Sequence, residues 1–252
     1  MVLNVVTKSE EKSAREPADI PKVSIVNLGM GNLFSVKHAC ELFGLNVSIT
    51  CSPDEIFLSD VVVLPGVGAF GDAMKNLRAL DLITVLREVA KSSRLFVGIC
   101  LGMQLLMTES HEFGHHRGLG IIEGSVVRLN HPKDCSGESL KVPHIGWNRI
   151  YRFREARDQN PWKNTLLEGL DNGVFMYFVH SFYVKPEDPN ITLSFTRYGD
   201  IEFCSSMQRG NIFACQFHPE RSGREGLEIY KAISSYAKNK AEGAGSEGTS
   251  RS

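Results

Sequence analysis

Apolar residues along the chain fall into two textures. Through the first half, short apolar runs alternate with stretches in which apolar positions recur every three or four residues. Residues 23–27 predict a strand, 29–32 a turn, and 33–43 a helix that stops at Gly44. Residues 47–50 predict a second strand. Ser52, Pro53 and Glu55 then stand where an N-cap, a first-turn proline and a capping-box glutamate belong. Val61, Val62, Val63 and Leu64 are apolar without a break, as in a strand covered on both faces of a parallel sheet. Next come Pro65-Gly66-Val67-Gly68, a helix over 69–80, a helix after Asp81, a strand over 95–99 ending at Cys100, and a helix over 101–108. The second half turns to strands, over 126–129, 174–179, 191–197, 201–208 and 212–216, with Arg209-Gly210-Asn211 as a hairpin turn and a closing helix over 225–238. Strands alternating with helices imply parallel pairing with helices on both faces. The expected fold is therefore a single α/β domain over residues 22–238, with a mostly parallel central sheet and partly antiparallel later strands. Residues 1–21 lack periodicity and are expected to form a flexible extension. Residues 239–252, rich in Gly and Ser, are expected to form a disordered tail.

Composition narrows the function classes. The chain has 252 residues, 42 % of them hydrophobic and 23 % charged, with a formal net charge of -1, so nucleic acid is not a favoured partner. No apolar run is long enough to cross a bilayer, and the short apolar N-terminus gives way at once to Lys8-Ser9-Glu10-Glu11-Lys12 without a cleavage pattern. A cytoplasmic location without membrane contact is expected. Six cysteines include no Cys-x-x-Cys pair, and five are read as reduced packing or surface thiols. Gly29-Met30-Gly31-Asn32 lacks the full dinucleotide fingerprint and reads as a strand-to-helix turn, so no cofactor is expected. His111, His115 and His116 read as a polar loop, and no metal is assigned.

The sixth cysteine is different. Cys100 stands in Gly98-Ile99-Cys100-Leu101-Gly102, where an apolar strand meets a helix. A nucleophile on such a turn needs small neighbours, so that strand and helix close up beneath it while its side chain stays at the top. The helix N-terminus favours negative charge on the sulfur and leaves the Leu101 N–H free for an oxyanion. A buried cysteine with packing glycines is the alternative. His218, in Gln216-Phe217-His218-Pro219-Glu220, is the best-placed base, with Glu220 two residues on and able to hold its ring. A surface histidine beside a carboxylate is the alternative there. Gly66, Val67 and Gly68 follow a neighbouring parallel strand, where a peptide N–H can face developing charge, or they form an ordinary turn.

With these motifs assembled, residues 22–238 resemble the class I glutamine amidotransferases, and within them the glutaminase subunits of imidazole glycerol phosphate synthase. Five segments carry the resemblance: 65–71, 98–104, 142–148, 177–181 and 216–220. It implies a Cys100, His218, Glu220 triad that hydrolyses L-glutamine to glutamate and ammonia. Gly66, Val67 and Gly68 match the oxyanion loop, and Gln104, His180 and Ser181 match positions that touch the bound glutamine. Trp147 and its neighbours match a surface facing the partner, the cyclase subunit of the synthase, which is a (β/α)8 barrel. It also implies a subunit often inactive alone, and the oxyanion loop is expected to reorient when the cyclase binds its ligand. The family's usual Asp-Tyr-Gly-x-Gly-Asn reads Asn27-Leu28-Gly29-Met30-Gly31-Asn32 here, His-Pro-Glu-Lys-Ser reads His218-Pro219-Glu220-Arg221-Ser222, and His-Ser-Tyr-Tyr reads His180-Ser181-Phe182-Tyr183. None of these departures falls on the triad. They leave open a paralogue that supplies ammonia for sugar amidination in surface-polysaccharide synthesis. A cysteine peptidase and a non-catalytic binding subunit are the remaining alternatives. Gln104 and the 142–148 segment speak against the first, and the intact Cys/His/Glu set against the second.

Overall fold

The apolar runs of the first half become the centre of a sheet. In the computed structural model, which describes residues 20–153 and 160–247 (for 241–247 the backbone only), eight strands lie in the order β2-β1-β3-β4-β14-β13-β12-β9. They are β1 (Lys22–Val26), β2 (Asn46–Thr50), β3 (Val61–Gly66), β4 (Leu95–Cys100), β9 (Tyr151–Arg152), β12 (Thr192–Tyr198), β13 (Ile201–Arg209) and β14 (Ile212–Cys215). β2, β1, β3, β4 and β14 pair in parallel, and β13, β12 and β9 continue the sheet antiparallel.

Successive side chains of a strand point to opposite faces, and the core divides accordingly. Val61, Val63, Leu95, Val97 and Ile99 turn to one face, where α1 (Leu33–Glu41) and α6 (Gly223–Glu247) cover them with Val36, Cys40, Ile229 and Ile233. Val62, Leu64 and Phe96 turn to the other, beneath α2 (Pro53–Leu58), α3 (Phe70–Ala79), α4 (Leu82–Lys91) and α5 (Leu101–Leu105). Burial on both faces is why β3 and β4 are apolar throughout. Ser52 caps α2 as its spacing predicts, its side chain accepting from the Glu55 N–H at 3.4 Å.

Two further sheets were not foreseen. β10 (Phe175–His180) pairs antiparallel with β8 (His144–Arg149). β11 (Phe182–Pro186), β7 (Ile122–Arg128), β5 (Met107–Ser110) and β6 (His116–Arg117) form a four-stranded sheet in that order. The helix expected over 101–108 is therefore too long. It ends at Leu105, and Met107 starts β5 because the backbone of residues 107–110 pairs with β7 instead of turning back on itself. The closing helix overshoots its prediction in turn and runs to Glu247, past Gly243 and Gly245, two residues that disfavour helix. Residues 1–19 and 248–252 lie outside the described residues, while 239–247 of the tail expected to be disordered are helical in backbone. No helix among the described residues is long and apolar enough to cross a membrane.

The close approach at the end of β4 rests on Gly102. A Cβ there would overlap the Leu64 carbonyl oxygen of the adjacent strand, a rigid backbone atom that cannot move aside. Gly102→Ala is expected to lower the unfolding free energy in urea by more than about 2 kcal/mol, the range of a forced overpacking. An unchanged midpoint would show that the strand and helix have room to separate.

Candidate active site

Cys100 is the last residue of β4 and sits at φ 53°, ψ -108°, a conformation that costs a non-glycine residue energy and turns the chain sharply into α5. The elbow predicted from the flanking glycines is present. Gly66 pairs with Cys100 across β3 and β4, so the segment 66–68 leaves the sheet beside the sulfur. Gly68 has φ +114°, open to glycine and rarely adopted by other residues, and the Met30 side chain packs where a Cβ would project.

His218 lies 118 positions further along the sequence but only one strand away, because β14 pairs with β4 and ends at Cys215, three residues before it. The His218 N–H donates to the Tyr177 carbonyl at 2.9 Å, and the Ser222 hydroxyl donates to the His218 carbonyl at 2.6 Å while accepting from the Tyr177 N–H at 3.0 Å. The turn is thus clamped to β10. His218 Nδ1 and Glu220 Oε1 are 2.7 Å apart, with both side chains buried. A carboxylate only accepts, so Nδ1 carries the proton and Nε2 is left for other chemistry. His218 Nε2 has no hydrogen-bond partner of normal geometry among the described residues, although Cys100 is close enough to act on it electrostatically. Burial pulls the imidazole pKa down, but the attraction of the Cys100 sulfur and of Glu220 outweighs burial and raises it. The arrangement favours the protonated form of the His218 ring.

A cavity of about 260 Å³ opens at the sulfur. Its walls include Val67, Gly68, Cys100, Leu101, Gln104, His180 and Ser181, all singled out from the sequence, together with Glu112, Phe113, Pro143, Val179 and Phe182. Gly66, His218 and Glu220 are not part of its lining. The Gln104 side chain is anchored rather than free: its Nε2 donates to the Phe182 carbonyl at 2.9 Å and to Gln216 Oε1 at 3.0 Å. His180 Nδ1 donates to the same carbonyl at 2.9 Å, and burial, followed by the neighbouring His144, pushes its pKa down to about 3. His180 is therefore a neutral imidazole.

Glu112 is the wall residue that the sequence did not single out. It belongs to the His-rich segment between β5 and β6 that read as a polar loop. His115 does face outward there, pairing with Glu109 at 2.8 Å. Glu112 instead turns inward, accepting from the Phe70 N–H at the start of α3 at 2.5 Å, and burial raises its pKa. Among the described residues it is the only charged side chain in the cavity wall. Its position two residues after Ser110 on an antiparallel hairpin carried no pattern that distinguishes it from a solvated carboxylate.

The departures from the family pattern have structural accounts. Leu28 is buried in the core beside α3, and the Asn27 side chain accepts from the Gly29 N–H at 2.9 Å to hold the turn. The Arg221 guanidinium stacks 4.5 Å over the Tyr177 ring. Phe182 is buried, with its backbone carbonyl used by Gln104 and His180.

The glutamine amidotransferase class-I family model matches residues 24–232. The imidazole glycerol phosphate synthase subunit HisH of Syntrophotalea carbinolica is 46 % identical over 209 residues, covering 83 % of this chain and 97 % of that protein. The HisH subunit of Aquifex aeolicus is 45 % identical over 206 residues, covering 81 % and 92 %. Among solved structures, a glutamine amidotransferase superposes with a TM-score of 0.63 at 18 % identity, covering 85 % of this chain and 98 % of the other, which speaks to the fold alone.

Proposed function

The chain belongs to the class-I glutamine amidotransferases, and within them to the HisH subunits of imidazole glycerol phosphate synthase; from that membership we propose that it hydrolyses L-glutamine at Cys100 and delivers the ammonia to a cyclase subunit in histidine biosynthesis. The observation that carries the reading is the meeting of an elbow cysteine with a buried, carboxylate-bound imidazole at the edge of a cavity of small-molecule size.

Glutamine enters the cavity with its side-chain amide at the sulfur. Glu112, the one charge in the wall, balances the α-ammonium group of the substrate. The Cys100 thiolate attacks the amide carbon, and backbone N–H groups of Leu101 and of the 66–68 segment hold the oxyanion. His218 gives its Nε2 proton to the departing nitrogen, and ammonia leaves with a glutamyl thioester remaining on Cys100. His218 then takes a proton from water as it attacks the thioester, and returns it to the sulfur as glutamate departs. Glu220 keeps the imidazole in one tautomer throughout.

Ammonia released into bulk water becomes ammonium, which is not a nucleophile, so an enclosed route to the acceptor is chemically useful. The face above the site suits a docked protein. Ile145, Trp147 and Phe175 are exposed apolar side chains on β8 and β10, Arg149 stacks over Phe175 at 4.1 Å, and Trp147 meets the Tyr177 ring edge-on at 6.1 Å. Aromatic and arginine side chains of this kind anchor interfaces. The same strand backs the reacting groups, since Cys100 Sγ lies 3.9 Å from the Val179 carbonyl and His218 bonds Tyr177.

A glutaminase assay with purified imidazole glycerol phosphate cyclase tests the proposal. Hydrolysis is expected to rise by about tenfold or more when the cyclase and its ligand are both added, within the ordinary scale of coupling between sites. Turnover indifferent to the cyclase would favour the sugar-amidinating paralogue, and peptide cleavage without glutamine turnover would favour a peptidase.

A further inference from the structure

Gln216 plays no part in the reaction as described, yet it is fully buried and its Nε2 donates to Cys100 Sγ at 3.5 Å. A side-chain amide can present either its N–H or its carbonyl to a neighbour, and the two have opposite effects on a thiolate. What decides the orientation is the network behind it.

That network has a fixed polarity, its two arms meeting as donors at the Phe182 carbonyl. The Phe182 carbonyl can only accept, so His180 carries its proton on Nδ1, and the neutral ring leaves Nε2 as an acceptor. His144 Nδ1 lies 3.1 Å from that nitrogen and must be the donor. Burial pushes the His144 pKa down to about 4, so His144 is neutral too, and its Nε2 accepts from Asn148 Nδ2 at 3.3 Å. Asn148 is oriented in turn by donating to the Arg197 carbonyl at 2.8 Å. On the other side, Gln104 also donates to the Phe182 carbonyl and spends its second N–H on Gln216 Oε1. Gln216 is left with its N–H groups toward the sulfur. Reversing any one amide or tautomer would set two acceptors or two donors against each other in an enclosed site, at the cost of an unmade buried hydrogen bond.

We propose that Gln216 is a catalytic hydrogen-bond donor to the Cys100 thiolate, held in that orientation by the chain Asn148–His144–His180–Phe182 carbonyl–Gln104. The chain begins on the strand that faces the partner. β8 alternates, with Ile145 and Trp147 outward and His144 inward beside Tyr198, whose ring stacks on it at 4.1 Å. A shift of β8 on docking reaches the sulfur through six hydrogen-bonded groups without moving the eight-stranded sheet. The inference rests on Cys100 being the nucleophile, but it concerns the reactivity of the sulfur and not the fate of glutamine.

The test is alkylation of Cys100 by iodoacetamide at pH 7 in the full-length protein, read on the Cys100 peptide by mass spectrometry. The exposed Cys51 and Cys135 serve as internal references. The variants are Gln216→Met, which removes the donor at similar volume, Gln216→Glu, which sets a carboxylate against the sulfur, and His144→Phe, which keeps the ring but cuts the chain. Cooperative thermal unfolding establishes that each is folded. The expected order of Cys100 alkylation is parent, then Gln216→Met, then Gln216→Glu slower than the parent by about tenfold, the equivalent of one unit of proton affinity. His144→Phe is expected to slow it about threefold, with the reference cysteines unchanged. Because Gln216 does not line the cavity, kcat for glutamine should fall while KM stays within about twofold. Equal alkylation of the parent and folded Gln216→Glu overturns the donor role, and a response to Gln216 but not His144 overturns the chain. A parent that fails to turn over glutamine even with the cyclase and its ligand present refutes the proposed function instead, and leaves the alkylation result to stand separately.

Discussion

Cys100→Ala is expected to reduce glutamine hydrolysis by at least about 10⁴-fold, because removing the nucleophile of a triad leaves only binding and oxyanion contacts. The methyl group fits the space of the thiol, and the positive φ at position 100 is unchanged, so the fold and the paired strands β8 and β10 should persist. The variant is then a discriminating reagent. Mixed with the cyclase and supplied with an ammonium salt, it should still support product formation, since ammonia bypasses the missing step. Loss of the ammonia-driven reaction together with the glutamine-driven one would mean that Cys100 serves assembly and not chemistry.

Glu220→Gln is expected to cost about 10²- to 10⁴-fold in kcat, the range seen when the carboxylate of a triad becomes an amide that no longer enforces one tautomer. It also carries a pH signature. Burial lowers the proton affinity of His218, and the Cys100 sulfur and Glu220 raise it above the ordinary imidazole range. The protonated ring is therefore held until pH rises through that elevated value. Deleting the carboxylate removes one of the raising influences. The high-pH limb of kcat/KM should move to lower pH in the variant. An unshifted limb would assign that titration to another group. The same sign applies to stability: the contribution of His218 is complete below its unfolded value and lost as pH rises through the folded one.

How much of this was legible in the sequence depends on where each residue's partners lie. β3 and β4 declared themselves because a strand covered on both faces is apolar at every position, and Cys100 stood out because its turn is built locally by Gly98 and Gly102. His218 and Glu220 were readable as a pair because they are two residues apart in extended chain. β8 was invisible to periodicity. Its inward His144 is polar and its outward Trp147 and Ile145 are apolar, the reverse of an ordinary half-buried strand, because one side feeds a hydrogen-bond chain and the other faces solvent in the isolated subunit. β5 was absorbed into the preceding helix because its partner β7 lies a dozen or more residues away, and pairing at that range leaves no local trace. Glu112 and Gln216 share this difficulty. A carboxylate in a His-rich loop and an amide at a strand end become notable only when Phe70 and Cys100 are found against them.

Covalent chemistry at Cys100 underlies every step of the proposed reaction. The direct measurement is acid quenching of the protein, with its cyclase and saturating L-glutamine, during steady-state turnover, followed by mass analysis of the Cys100 peptide. A gain equal to glutamine less ammonia, absent in Cys100→Ala and persisting longer in Glu220→Gln, is the predicted result. Glutamine turnover at full rate with the Cys100 peptide unmodified, or with the adduct on another residue, would contradict it.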